Sequence, residues 1–165
     1  MKKLFFIFLF IINLYALENG IGFYLNIGGG FDTRDTDNEK TSLNLSYGGG
    51  AIVYNVNEYD IYYGLKAGGD FGKMKFKEKN NFNTLKIQGE IGYRILKATD
   101  IYFILGYEKL HIQSKNYTGF GFGIGGAKTL DDLFRIFADL TNYSVDNNND
   151  TINDTRLNIG LIIKD

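Results

Sequence analysis

The sequence has neither cysteine nor proline, and each absence excludes a class of structure. Without cysteine, the 165-residue chain can form no disulfide bond and no thiolate metal site. Without proline, strands can run long and uninterrupted, because proline removes a backbone donor from a sheet. The single histidine, His111, excludes a histidine metal cluster within one chain, and a net charge of −1 gives no bias toward nucleic acid. We therefore expect no metal, no other cofactor and no nucleic-acid partner.

The only long apolar run lies at the N-terminus. Lys2 and Lys3 precede the largely apolar residues 4–14, and the small residue Ala16 follows them. A basic start, a short apolar run and a small residue at its end are typical of a secretory signal peptide. The run spans roughly 11 residues, which is short of the ~20 that a membrane-spanning helix needs. We therefore predict a signal peptide over residues 1–16 and a single domain over residues 17–165, with an uncleaved anchor helix as the alternative.

The rest of the chain alternates between apolar and polar residues with a period of two. In residues 85–95, for example, Ile87 and Ile91 share one parity, whereas Lys86 and Glu90 share the other. Successive side chains of a strand point to opposite faces, so such a segment has one apolar face and one polar face. Eight segments alternate in this way. They are residues 20–32, 42–54, 61–73, 85–95, 101–113, 119–128, 134–144 and 155–164.

The connections between these segments alternate in length and polarity. Four of them are longer or more polar, namely residues 33–41, 74–81, 114–118 and 146–154. The three others are short turns, namely residues 55–60, 97–100 and 129–132. An up-and-down barrel places alternate connections at opposite ends, and outer-membrane barrels keep their short turns on the periplasmic side. We therefore predict an all-β fold, an eight-stranded antiparallel up-and-down β-barrel that crosses the membrane with its strands.

Alternation alone does not show which face points outward. In a secreted lipocalin-like barrel or β-sandwich the polar face points toward water, so the residues on that face must distinguish this alternative from a membrane barrel. The face carries many glycines, which weaken a water-exposed strand but leave room inside a narrow barrel. It also carries five basic and four acidic side chains, so that buried charges could pair. We therefore predict a barrel with lipid outside and ion pairs in its lumen. The predicted lumen residues are Lys66, Asp70, Lys86, Glu90, Arg94, Glu108, Arg135, Asp139 and Arg156.

In these features the chain resembles the eight-stranded outer-membrane β-barrels of Gram-negative bacteria. That group includes the transmembrane domain of outer-membrane protein A and the small surface-antigen barrels. The resemblance rests on the signal peptide, the number of strands, the alternation of apolar and polar residues, the alternation of long and short connections, and the charges predicted for the lumen. It implies the outer membrane as the location, outer-membrane lipid and lipopolysaccharide as partners, and the barrel-assembly machinery during biogenesis. The chain departs from the group's usual aromatic C-terminal residue, since it ends in Lys164 and Asp165.

The candidate motifs favour a structural or surface-interaction protein over an enzyme. The glycine clusters, such as residues 28–30, lie inside alternating segments, and no helix follows that could hold a phosphate. Glu108, His111 and Ser114 are the one set that could serve a hydrolase, but in a regular strand His111 points away from the other two. We therefore predict a non-enzymatic barrel with a largely closed lumen and an unidentified surface ligand. The alternatives are a narrow pore, a lipid A-modifying enzyme and a secreted soluble lipocalin-like barrel.

Two further groups of residues have expected positions near the longer loops. Residues 146–154 are rich in aspartate and asparagine, which predicts a solvated loop, with weak divalent-ion binding as the alternative. Aromatic residues near strand ends are expected to form a belt at the lipid boundary. These aromatic residues are Phe31, Tyr47, Phe71, Phe82, Tyr107, Tyr117 and Tyr143.

Overall fold

The computed structural model describes residues 16–34, 40–75, 79–148 and 150–165. The predicted signal peptide, residues 1–16, lies outside the described residues except for Ala16, so it stays a prediction. No helix among the described residues is long and apolar enough to span a bilayer.

Eight β-strands follow one another along the chain. They are β1 (Ala16–Arg34), β2 (Lys40–Asn57), β3 (Ile61–Lys75), β4 (Lys79–Leu96), β5 (Thr99–Ile112), β6 (Lys115–Thr129), β7 (Phe134–Asp146) and β8 (Thr151–Lys164). Each strand pairs in antiparallel fashion with the next, and β8 pairs with β1, which closes the sheet into a barrel. This confirms the predicted all-β, eight-stranded antiparallel up-and-down barrel. The end where β1 begins and β8 ends is named the proximal end, and the opposite end is the distal end.

The strands extend further toward the distal end than their apolar residues predict. The loop predicted at residues 114–118 is wrong, because Gln113 and Ser114 alone join β5 to β6, with φ angles of 48° and 68°. Positive φ at both residues is the geometry of a two-residue hairpin turn. Residues 151–154 of the loop predicted at 146–154 likewise belong to β8. Strand ends made of polar residues cannot be recognised from the apolar alternation, because a ladder of backbone hydrogen bonds does not require apolar side chains.

The alternation places apolar side chains on the outer surface and charged ones inside. Phe103, Leu105 and Phe122 are 69%, 70% and 66% exposed. Lys66 and Arg156, which have the opposite orientation on their strands, are 2% and 0% exposed. A water-soluble barrel would bury its apolar residues and expose its charges. The structure therefore has the inverted arrangement that the polar face predicts, with the apolar surface available to lipid.

The predicted aromatic belt is correct for four residues and wrong for three. Phe31, Tyr47, Phe71 and Tyr107 lie on the outer surface and are exposed. Phe82, Tyr117 and Tyr143 point into the lumen and are buried. Position near a strand end does not determine the side of the sheet, whereas parity along the strand does.

Two clusters of buried apolar side chains fill the lumen, one toward each end. The proximal cluster contains three stacked tyrosines, Tyr54, Tyr62 and Tyr102, with ring centroids 6.0 and 5.0 Å apart. Its other members are Tyr24, Ile52, Val56, Ile104, Ala127, Phe137 and Ile162. The distal cluster consists of Met74, Phe82, Leu110, Ile112, Tyr117, Tyr143, Val145 and Ile152.

Glycines on β6 make room for these large rings. A Cβ atom at Gly125 would meet the ring of Tyr102, and a Cβ atom at Gly121 would meet the ring of Tyr143. An eight-stranded barrel has an interior only wide enough for its side chains. The glycines of β6 therefore leave room for large rings from both neighbouring strands.

Leu105→Arg should lower the free energy of unfolding in lipid vesicles by about 2–4 kcal/mol, which is the cost of arginine near the bilayer midplane. Leu105 lies in the middle of β5 and points outward. Leu105→Ala keeps the outer surface apolar and is the matched control. It should lower the free energy of unfolding clearly less than Leu105→Arg. Reversible denaturant unfolding in vesicles measures both variants. An arginine variant as stable as the alanine variant would contradict a lipid-facing position.

Candidate functional site

The lumen contains all the charged residues that were predicted for it. Eight of the nine are buried, and Arg94 is partly exposed at the proximal end. Within each of the strands β3, β4, β5, β7 and β8, these residues are an even number of positions apart or share the parity of other buried residues, so they point inward. The residues concerned are Lys66, Asp70, Lys86, Glu90, Arg94, Glu108, Arg135, Asp139 and Arg156.

In the proximal half, Lys66 is held between two carboxylates. Its Nζ lies 2.9 Å from Glu90 Oε1 and 2.7 Å from Asp139 Oδ2. Two tyrosines complete the group: the Tyr62 hydroxyl donates to Glu90 at 2.5 Å, and the Tyr102 hydroxyl donates to Asp139 at 2.8 Å. The contact between Lys66 on β3 and Asp139 on β7 crosses the lumen, because these strands are not neighbours in the barrel.

At the proximal mouth, Asp100 is shared by two arginines. The Nε atom of Arg94 and the Nη1 atom of Arg135 each lie 2.8 Å from an oxygen of this carboxylate. The guanidinium of Arg135 also lies 4.4 Å from the ring centroid of Tyr54 and 5.2 Å from that of Tyr62. Such cation–π contacts stabilise a guanidinium that is removed from water.

In the distal half, Asp70 is the centre of the charge network. It lies 2.8 Å from Lys86 Nζ and 3.0 Å from Arg156 Nη1, and it accepts a hydrogen bond from the Asn26 amide at 2.9 Å. Arg156 extends across the lumen from β8 to reach Asp70 on β3. Lys86 also approaches Glu108 to 3.8 Å.

The sequence analysis missed three buried lumen carboxylates: Asp32, Asp100 and Asp154 are each 0% exposed. Asp32 lies at the end of the first predicted segment, Asp100 in a predicted turn and Asp154 in a predicted loop. Asp32 already has the inward parity of its own segment, and extending the segments that begin at residues 101 and 155 by one residue would have found Asp100 and Asp154. The described lumen therefore has seven acidic side chains against five basic ones, not the four against five that were predicted.

The residues considered for catalysis do not come together. Glu108 is buried in the lumen, whereas His111 lies at the outer wall with its Nδ1 atom 2.9 Å from Asn116 Oδ1. Ser114 is exposed in the β5–β6 turn. In the chain as far as the structure describes it, no three His, Cys, Asp or Glu side chains are placed to hold a metal ion.

A groove of about 1060 Å³ runs along the outer wall of β2–β5 near the distal end. Its apolar part includes Leu45 and the ring pair Tyr47–Phe71, whose centroids lie 6.2 Å apart. Its polar part is formed by Lys73, Lys75, Asn81, Asn83, His111 and Gln113. The groove, named here the distal groove, thus joins an apolar surface to a basic rim.

Basic side chains of the distal outer wall lie on one side of the barrel. Lys73 and Lys75 on β3 and Lys109 on β5 are exposed. On the described part of the opposite outer wall, formed by β7, β8 and β1, the one charged side chain near the distal end is acidic, Asp146. An anionic ligand would therefore be attracted to the side that holds the distal groove.

Comparison with known proteins identifies the fold. No protein-family profile and no curated protein matches the sequence. Among solved structures, Ail, the attachment invasion locus protein of Yersinia pestis, is 15% identical with a TM-score of 0.57, over 90% of this chain and 100% of that chain. Ail in complex with the heparin analogue sucrose octasulfate is 16% identical with a TM-score of 0.54, at the same coverage.

The neisserial surface protein NspA gives a second match. It is 10% identical with a TM-score of 0.57, over 88% of this chain and 99% of that chain. Structural similarity at such low sequence identity establishes the fold but not the function. The chain is thus an eight-stranded transmembrane β-barrel with the fold of the small bacterial outer-membrane proteins.

Proposed function

We propose that the protein is a non-enzymatic outer-membrane barrel whose lumen is closed and whose distal end is a surface for interaction with other molecules. The proposal includes export by the signal peptide at residues 1–16 and insertion by the barrel-assembly machinery. The observation that carries it is the contact of charged side chains from opposite walls of the lumen. Lys66 meets Asp139, and Arg156 meets Asp70.

These contacts argue against a narrow pore. Eight strands leave an interior that side chains can fill, whereas channels of porins need about twice as many strands. Arg135 and Arg156, the largest fully buried side chains, lie inside this narrow interior together with the two apolar clusters. An ion moving through would have to break buried ion pairs, which is costly.

The proposed surface role includes contact with lipopolysaccharide through the distal groove. With the short proximal turns on the periplasmic side, the distal end lies in the outer leaflet and above it. The groove then offers Leu45, Tyr47 and Phe71 to acyl chains, and Lys73 and Lys75 to phosphate groups. Each lysine near an anionic lipid surface contributes about 1 kcal/mol to binding.

The closed lumen predicts that the purified protein, inserted in a planar bilayer, produces no steady single-channel openings. Side chains from opposite walls block the water-filled path that conduction needs. A porin inserted in the same bilayer serves as the positive control. Large, steady and reproducible openings of the wild-type protein would contradict the closed lumen and favour the pore.

The double variant Lys73→Gln/Lys75→Gln should bind bisphosphorylated lipid A about 30-fold more weakly than the wild type, from the loss of two lysine contributions. Titration of lipid A into the full chain in neutral detergent micelles measures this affinity. Lys97→Gln/Lys128→Gln removes the same charge from the exposed proximal end and is the matched control, with little expected effect. Equal weakening by both double variants, or no binding to the wild type, would contradict the proposed groove.

A further inference from the structure

The distal half of the lumen holds more carboxylates than cations. In the proximal half three cations face three carboxylates: Lys66, Arg94 and Arg135 with Glu90, Asp100 and Asp139. Among the described buried side chains of the distal half, two cations face four carboxylates: Lys86 and Arg156 with Asp32, Asp70, Glu108 and Asp154. These six distal groups are named the distal charge chain. With every group ionised, the chain would carry a net charge of −2 in a closed lumen.

Each cation of the distal charge chain is shared between two carboxylates. Arg156 contacts Asp154 and lies 3.0 Å from Asp70. Lys86 lies 2.8 Å from the same Asp70 but 3.8 Å from Glu108. Both cations therefore contact Asp70 closely, and Glu108 at one end of the chain has only a distant partner.

Asp32, at the other end of the chain, has no ion pair with any described cation. It lies directly opposite Asp154 in the β1–β8 register. The neutral amide of Asn44 donates to both carboxylates, at 2.9 Å to Asp32 and 3.5 Å to Asp154. On β2 the register partner of Asp32 is Ser42, which is also neutral. Like charges directly opposite each other on adjacent strands are destabilising.

The oxygens at both ends of the chain lack hydrogen-bond donors. Neither carboxylate oxygen of Glu108 accepts a hydrogen bond, and Oδ1 of Asp32 accepts none. Both residues are 0% exposed. An ionised carboxylate that is buried without donors is strongly unfavourable. Each end of the chain therefore lacks a hydrogen-bond donor among the described side chains.

The surroundings of the chain favour a proton over a larger cation. Besides the charge chain itself, Glu108 faces Tyr143 from β7 and Gly119 from β6. Arg34 lies at the distal mouth, 2.7 Å from Asp150. Among the described residues no three side chains of the ligating types are placed to hold a metal ion. The distal apolar cluster lies between the chain and the mouth. A proton, unlike a metal ion, needs neither a cavity nor a ligand set.

We propose that the folded barrel holds two protons in its distal half at neutral pH, one shared between Asp32 and Asp154 and one on Glu108. A protonated carboxyl group is neutral and donates a hydrogen bond, so it supplies both features that the ends of the chain lack. The shared proton would turn the repulsion between Asp32 and Asp154 into a hydrogen bond. The inference requires the closed lumen but is independent of any lipid or surface ligand.

The stability of the barrel should then fall as the pH rises. Carboxyl groups of the unfolded chain lose their protons near pH 4, so above about pH 5 the folded state holds two more protons than the unfolded state. Each extra proton lowers the folding equilibrium constant about tenfold per pH unit, and two lower it about a hundredfold. The loss begins above the carboxyl range and continues until the folded barrel releases its protons.

Denaturant unfolding of the full chain in lipid vesicles between pH 6 and pH 10 tests this proposal. The folding equilibrium constant of the wild type should decline about a hundredfold per pH unit. Asp32→Asn and Glu108→Gln should each reduce this decline by about a factor of ten per pH unit, and the double variant should abolish it. The double variant should also be more stable than the wild type at pH 9, since neutral amides cannot ionise. Glu90→Gln, which removes an ion-pair partner of Lys66, is the control and should be less stable with an unchanged slope.

An absence of pH dependence in the wild type, or a double variant with the wild-type slope, would overturn the proposal. Stability that instead falls with a chelator and returns with Mg²⁺ or Ca²⁺ would also overturn it, in favour of a metal ion. Where a variant fails to fold, infrared spectroscopy of the wild type at pH 7 decides. Absorption from protonated carboxyl groups that disappears on unfolding supports the proposal, and its absence overturns it.

Discussion

Charge pairing across the lumen is the interaction on which the rest of this structure depends. A strand with one apolar and one charged face can cross a bilayer only if the charged face turns inward. Inside a narrow barrel, each charge then needs an opposite charge within a few ångströms. Lys66 and Asp139, and Arg156 and Asp70, meet this requirement across the bore. The same contacts that make the charges tolerable also fill the space that a channel would occupy.

The other features of the lumen follow from limited space. Small residues on β6 allow rings from β5 and β7 to cross the interior, and an apolar cluster lies toward each end. The interior is therefore layered, with charges held between or beside apolar groups. Side chains occupy the lumen of such a barrel. The function proposed above therefore concerns the distal end, where the apolar and basic parts of the distal groove meet.

Parity along the strands predicts the fold and the side of each residue, because a β-strand fixes side-chain direction independently of tertiary contacts. Parity does not locate the ends of strands, because polar residues are common both in loops and at strand ends. Asp100 and Asp154 were missed for this reason, and Phe82 was placed on the wrong side because strand-end position was used in place of parity. The partner of each charge could not be predicted, since the Lys66–Asp139 contact depends on strand stagger and tilt.

Spin labelling tests the inside-out arrangement most directly, and the absence of cysteine makes each introduced label unique. Labels at Phe103→Cys, Leu105→Cys and Phe122→Cys, in vesicles, should collide with oxygen dissolved in the lipid and not with a water-soluble nickel chelate. A label at Thr141→Cys, inside the lumen, should collide with neither. If the nickel chelate reached the three outer positions in vesicles, or if oxygen failed to reach them, the inside-out barrel would be contradicted.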